Sequence, residues 1–198
     1  MSLLIAMSLF ALSMSVSPGP VNLVTFSSGL NYGFRPTLPF VAGAASGFTL
    51  LLVVVGLGLG EIIALNPLLM QVLAYSGSAF ICYLGYKIAT ADPHLPVSPN
   101  SRPRFYQGAI LQWLNPKAWI ASLAGVSAFE ATPGNGLIVF AGLYLVICFF
   151  SVSVWAYAGA RISNLLRDRR TLQWCNRAMG GVLIVVAIYL LYLHMKAL

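Results

Sequence analysis

The chain has 198 residues, of which 59% are hydrophobic and only 8% charged, with 11 basic against 4 acidic side chains and a net charge of +7. Soluble domains average about 25% charged residues, so this composition excludes a domain kept in water by a charged surface and makes lipid the main solvent. The basic excess does not point to nucleic acid, because the Lys and Arg residues stand in short gaps between apolar runs and form no single basic face.

A helix needs about 20 largely apolar residues to cross the hydrocarbon core, and six stretches have that character. The first covers residues 3–26. It lacks the basic leading segment of a secretory signal, and uncharged sequence continues to Phe34, so it reads as a retained span. Within it lies Ser17-Pro18-Gly19-Pro20-Val21-Asn22. Two prolines remove two backbone donors and crowd the preceding turn, so the helix must kink or break and free carbonyl groups that need partners in lipid. Such breaks are tolerated where they are buried in protein or line a wet cavity. Pro18, Gly19 and Pro20 are therefore expected to form a break at a substrate site, with Asn22 offering both donor and acceptor; a packing kink is the plainer alternative.

The second span is expected over residues 37–60, where Gly43-Ala44-Ala45-Ser46-Gly47 gives a small-xxx-small face and assigns Gly43 and Gly47 to helix packing. The third covers residues 67–90. After it, residues 93–105 carry Pro93, Pro96, Pro99 and Pro103 and read as an extended linker between residues 1–92 and residues 106–198. The fourth span, residues 106–129, contains Asn115-Pro116-Lys117. Lys117 is the only basic residue well inside a span, where a charge costs about 2.5 to 3.5 kcal/mol on insertion scales. It is expected to face a cavity or a partner, and a cation there suits a carboxylate. The fifth and sixth spans cover residues 136–160 and 175–192.

Charge in the connections sets orientation. Arg35 follows span one; Lys87, Arg102 and Arg104 follow span three; Arg161, Arg167, Arg169, Arg170 and Arg177 follow span five. The remaining two gaps hold no basic residue, only Glu61 and Glu130. The linker and its basic companions then face the cytoplasm and both termini lie outside it, with Lys196 a single vote against. Three spans stand on each side of the linker, and an odd number per half would make related halves inverted repeats. The spacing agrees modestly: Gly43 and Gly77 follow Pro18 by 25 and 59 residues, while Gly142 and Gly180 follow Pro116 by 26 and 64.

Enzyme signatures such as Gly-x-Ser-x-Gly, His-Glu-x-x-His and a phosphate-binding loop are missing, so neither catalysis nor a cofactor is expected. Cys82, Cys148 and Cys175 are odd in number and widely spaced, which favours packing over disulfides or a metal site. Glu61 and Glu130 fall at span ends, which weakens any mechanism built on a buried carboxylate, and His194 is too near the end of span six to favour as a relay.

Taken together, Ser17-Pro18-Gly19-Pro20, Gly43-x-x-x-Gly47, Tyr83-Leu84-Gly85-Tyr86-Lys87 and Asn115-Pro116-Lys117-Ala118 resemble the LysE/RhtB family of amino-acid exporters, over nearly the whole chain. Asn31 to Pro36 and Gly85 to Thr90 resemble the branch that exports cysteine and O-acetylserine. The resemblance implies an all-α polytopic protein of a bacterial inner membrane, exporting a small neutral or polar amino acid on the proton gradient. Homoserine, threonine or another neutral amino acid is the alternative cargo, and a passive pore or structural component is the alternative of another class. It marks Pro18, Gly19, Pro20, Asn115, Pro116 and Lys117 as motif positions. Asn22 and Asn115 would then hydrogen-bond the substrate while Lys117 offsets its carboxylate. The partners implied are the amino acid, the bilayer and protons, with homo-oligomerisation left open. One departure stands out: Phe48 occupies a position where many members carry Asp.

Overall fold

The computed structural model describes residues 3–59, 62, 65–91, 102–129, 135–165 and 168–196. Among these there are eight α-helices and no strand: α1 (Leu3–Val16), α2 (Pro20–Tyr32), α3 (Phe34–Val54), α4 (Pro67–Ala89), α5 (Phe105–Trp113), α6 (Pro116–Phe129), α7 (Gly136–Leu165) and α8 (Arg169–Lys196). A π-helical segment, Val55–Leu59, prolongs α3. Most of the linker, Glu61, Glu130, Arg167 and the side chain of His194 lie outside the described residues.

Among the described residues, three stretches are long and apolar enough to cross a bilayer: Phe34–Leu59, Gly136–Ser163 and Arg170–Tyr192. The pair α1 and α2, bent by 60°, passes as one further span. Spans three and four of the sequence reading correspond to α4 and to the pair α5 and α6, which are not among these stretches. Gln107, Gln112, Asn115 and Lys117 make the pair the more polar of the two. The fold is a polytopic helical membrane protein.

Helix ends differ from the sequence expectation for identifiable reasons. The first span runs on to Tyr32 and stops at Gly33, whose φ of 86° and ψ of 173° turn the chain straight into α3. That region of backbone space suits glycine. The connection after α7 is short because both neighbouring helices overrun the apolar core. Arg161 at the end of α7 and Arg170 and Arg177 at the start of α8 therefore sit on helices. Arg161 Nε donates to the Tyr157 hydroxyl at 2.6 Å, and Arg177 lies over the Trp174 ring at 5.4 Å.

Packing follows an exchange of partners. The pair α1 and α2 lies against α7, α5 lies against α3, α3 crosses α7, and α4 pairs with α8. Glycines face each other where the helices meet most closely. An added Cβ on Gly29 of α2 would overlap Ala156 O, and one on Gly159 of α7 would overlap Phe26 O. Gly43 and Gly108 face Phe105 O and Phe40 O in the same way between α3 and α5, and Gly180 faces Gly85 O between α4 and α8. Gly47 stands against Ala109 on the same α3 seam. Without a hydrophobic drive between helices in lipid, close backbone approach of this kind supplies the packing energy.

Gly43→Val is expected to force α3 and α5 apart, because the obstructing atom is backbone and cannot rotate away. The cost should reach about 3 kcal/mol, the upper part of the overpacking range, and appear as a lower melting temperature in detergent. Gly142→Ala is the matched control, since its Cβ would meet nothing within 4 Å. Equal melting of both variants would remove Gly43 from the seam.

Candidate functional site

The break between α1 and α2 leaves a run of carbonyls without helical partners, and every one from Met14 to Pro18 is supplied with a donor. Met14 O accepts from Ser17 Oγ at 3.1 Å, and Ser15 O accepts from Asn22 Nδ2 at 2.9 Å. Val16 O accepts from Trp155 Nε1 of α7 at 3.2 Å. Ser17 O accepts twice, from Asn22 Nδ2 at 2.8 Å and from Lys117 Nζ at 2.6 Å. Pro18 O accepts from Lys117 Nζ at 3.4 Å, and Gly19 O begins α2 by accepting from Leu23 N at 3.0 Å. In a medium without water each unpaired carbonyl would cost several kcal/mol, so the break is held by donors from α2, α6 and α7. Pro20 opens α2 in its first turn, where a missing N–H costs nothing.

A second break separates α5 from α6 at Leu114 and Asn115, and Pro116 starts α6 as Pro20 starts α2. Here Trp113 O accepts from Trp119 Nε1 at 2.7 Å, and Asn115 Oδ1 accepts from Lys117 N at 3.2 Å, capping the new helix. Trp113 Nε1 ties the end of α5 to Gly47 O of α3 at 3.1 Å. The Asn115-Pro116 pair was the available signal for this break, which the sequence reading left as a continuous span.

The two breaks meet around a cavity of about 30 Å³, the room of a single water. Gly19, Asn22, Asn115 and Lys117 line it, whereas Pro18, Pro20 and Pro116 are chain neighbours of lining residues and stand at the breaks themselves. Of the seven residues singled out in the sequence as a substrate pathway, four therefore line one cavity. Asn22 spends both amide protons on backbone carbonyls here, so in this arrangement it anchors the break. Asn115 Nδ2 reaches Gln112 Oε1 at 3.5 Å. Gly43 and Gly47 lie on the α3 and α5 seam, away from the lining.

Sequence reasoning missed several lining or supporting groups. Ser15, Gln112, Tyr144 and Cys148 complete the walls, and Trp155 closes a carbonyl from the middle of an apolar run that carries no local signal. Phe48 stacks on Tyr144 with ring centroids 4.1 Å apart and planes 19° from parallel, so α3 presents an aromatic face to the cavity. The Ser15 side chain is buried in that wall with Tyr144 and Cys148. Asn31 and Asn176 also escaped notice. Their side-chain amides donate to each other's oxygens at 2.9 Å in both directions, joining α2 to α8.

The two ends of the cavity differ. Toward the start of α1 and the end of α6, Phe10, Phe129 and Phe140 form a closed aromatic cluster, with centroids 4.8 to 5.9 Å apart. Toward the end of α2 and the start of α5 lies a larger cavity of about 280 Å³, lined by Ser27, Asn31, Phe40, Lys87 and Gln107 among others.

The family model described as LysE type translocator matches residues 12–194. The cysteine/O-acetylserine efflux protein of Escherichia coli K12 is 26% identical over 194 residues, covering 95% of this chain and 95% of its own. The homoserine/homoserine lactone efflux protein of Salmonella typhimurium LT2 is 26% identical over 181 residues, covering 87% of this chain and 88% of its own. No solved structure matches the chain.

Proposed function

Because the chain belongs to the LysE type translocator family, and so is a multi-pass membrane transporter and not an enzyme, we propose that it exports a small amino acid or amino-acid derivative from the cytoplasm. Cysteine or O-acetylserine is the favoured cargo, and the proton gradient is the favoured drive. The observation that carries the reading is the meeting of two Pro-broken spans around a cavity with a lysine ammonium in its wall. Broken helices place dipole ends at membrane depth, where a zwitterion needs them: positive N-terminal ends for a carboxylate and negative C-terminal ends for an amine. Lys117, with Asn22 and Asn115 beside it, is the group of this site suited to a carboxylate.

Two inverted three-span halves in a bacterial inner membrane, with both termini outside the cytoplasm, belong to the same proposal. The exchange of partners supports the halves: the broken span of each packs on the middle span of the other, the middle spans cross, and the last spans pair. In that orientation the larger cavity faces the cytoplasm and the phenylalanine cluster closes the far side, the arrangement in which an exporter loads.

The test is efflux of radiolabelled cysteine, O-acetylserine, threonine, homoserine and leucine from preloaded cells, with and without an uncoupler. The expected result is faster export of cysteine or O-acetylserine that collapses with the uncoupler. A second reading, homoserine or threonine as cargo, draws on the Salmonella relative, whose identity to this chain is the same 26%; selective export of those compounds would establish it. Downhill leakage indifferent to the uncoupler would replace both with a passive pore.

A further inference from the structure

A primary ammonium group has three N–H bonds to satisfy, and the end of α1 supplies a set of oxygens to match. Ser17 O, Ser17 Oγ and Pro18 O stand 2.6, 2.8 and 3.4 Å from Lys117 Nζ. Two of these are carbonyls at the C-terminal end of a helix, which carries partial negative charge. The Ser17 hydroxyl gives its own proton to Met14 O at 3.1 Å, which leaves its lone pairs for the ammonium. Among the described residues no carboxylate takes part: Asp168, between α7 and α8, is the only acid there, and Phe48 meets the cavity with a ring.

Lys117 occupies this oxygen cage from outside. It belongs to α6 and reaches across Gly19, where an added Cβ would stand 3.0 Å from its Cδ and 3.3 Å from its Nζ. With the lysine in place, the space left is about 30 Å³, which holds a water and no amino acid. An amino acid carries the same primary ammonium that the cage is built to hold.

We infer that the oxygen cage formed by Ser17 and Pro18 at the end of α1 is the amine subsite for cargo, filled in the empty protein by the Lys117 ammonium as a tethered stand-in. This rests on the exporter reading for the identity of the cargo and deepens it. Cargo brings its α-ammonium to Ser17 O, Ser17 Oγ and Pro18 O. Lys117, displaced, turns to the cargo carboxylate beside the N-terminal end of α6. The empty site is thereby kept satisfied and closed, and only a ligand with both groups replaces every interaction it disrupts. A free α-amino group becomes the requirement for recognition, met by carbonyl dipoles where an acid would otherwise serve.

The cage can be tested without cargo. In purified full-length Lys117→Ala the cage is empty, and methylammonium is expected to enter it and raise the melting temperature by roughly 3 °C at ten times its dissociation constant. Tetramethylammonium, with the same charge and no N–H, should leave the variant unchanged, and the unaltered protein should respond to neither ion. An equal response to both ions, or none, overturns the inference. Should Lys117→Ala be recovered only as aggregate, the two ions are added during extraction. Recovery of monodisperse protein with methylammonium alone is then the expected result, and equal failure of both overturns the inference. No transport is measured in either arm, so a negative result here leaves the exporter reading intact, and loss of the exporter reading leaves the cage standing.

Discussion

Asn22→Leu should leave the chain poorly folded, with little protein recovered from the membrane and a much lower melting temperature in detergent. The side chain is buried and donates both amide protons to the break, to Ser15 O at 2.9 Å and to Ser17 O at 2.8 Å. Leucine has similar bulk and no donor, so the variant keeps the packing and deletes the hydrogen bonds. An unsatisfied buried acceptor costs about 1 to 3 kcal/mol. Ser15 O loses its recorded partner outright, whereas Ser17 O retains Lys117, so the expected loss is about 2 to 4 kcal/mol, a large part of a typical total stability. Normal recovery and melting of Asn22→Leu would show that the break is held by something other than this amide.

Lys117→Met is expected to reduce initial efflux at least tenfold while the protein remains in the membrane. Methionine keeps an unbranched stem over Gly19 and removes the charge. The interactions lost are charge-assisted, worth about 1.5 to 3 kcal/mol each, and 1.4 kcal/mol already corresponds to a factor of ten in rate. Lys117→Arg separates charge from shape. Its planar fork retains the cation yet cannot point three N–H bonds at one cage, so it should recover melting temperature more than transport. Rates are compared at matched membrane levels for all three proteins. A Lys117→Met protein that exports at the unaltered rate would take Lys117 out of the mechanism.

These two residues connect stability to function at the same atoms. Ser17 O accepts from both Asn22 and Lys117, so the two side chains that hold the break together also line the cavity. On the proposed reading, in which cargo passes this site, the helix ends would exchange partners without leaving carbonyls bare at any stage. Donors drawn from α2, α6 and α7, and not all from one neighbour, suit such an exchange. The cavity of about 280 Å³ at one end and the phenylalanine cluster at the other give the arrangement a direction.

Much of this was legible beforehand because its causes are local. The solvent follows from composition, the spans from runs of apolar residues, and the first break from two prolines, Pro18 and Pro20, two residues apart in one apolar run. Gly43 and Gly47 were readable as a seam because small residues at helical spacing have few other uses in lipid. Asn115, Pro116 and Lys117 stood out because polar groups inside a span carry a known cost. The second break was less legible: a single proline can merely kink a helix, and its neighbours decide whether the ladder is interrupted. At Leu114 and Asn115 the interruption is completed by Trp119, which takes Trp113 O, and by the Asn115 cap on Lys117 N.

Sequence alone thus determined that this chain lives in lipid, that it is helical, and that the region from Ser17 to Asn22 must leave carbonyls in need of donors. The tertiary structure decided which donors answer. Lys117 is 100 residues from Ser17, Trp155 is 139 from Val16, and Asn176 is 145 from Asn31. A carbonyl oxygen accepts from any N–H brought within reach, so no local pattern records the choice. Packing made it, through the close glycine crossings that set α2 on α7 and α5 on α3.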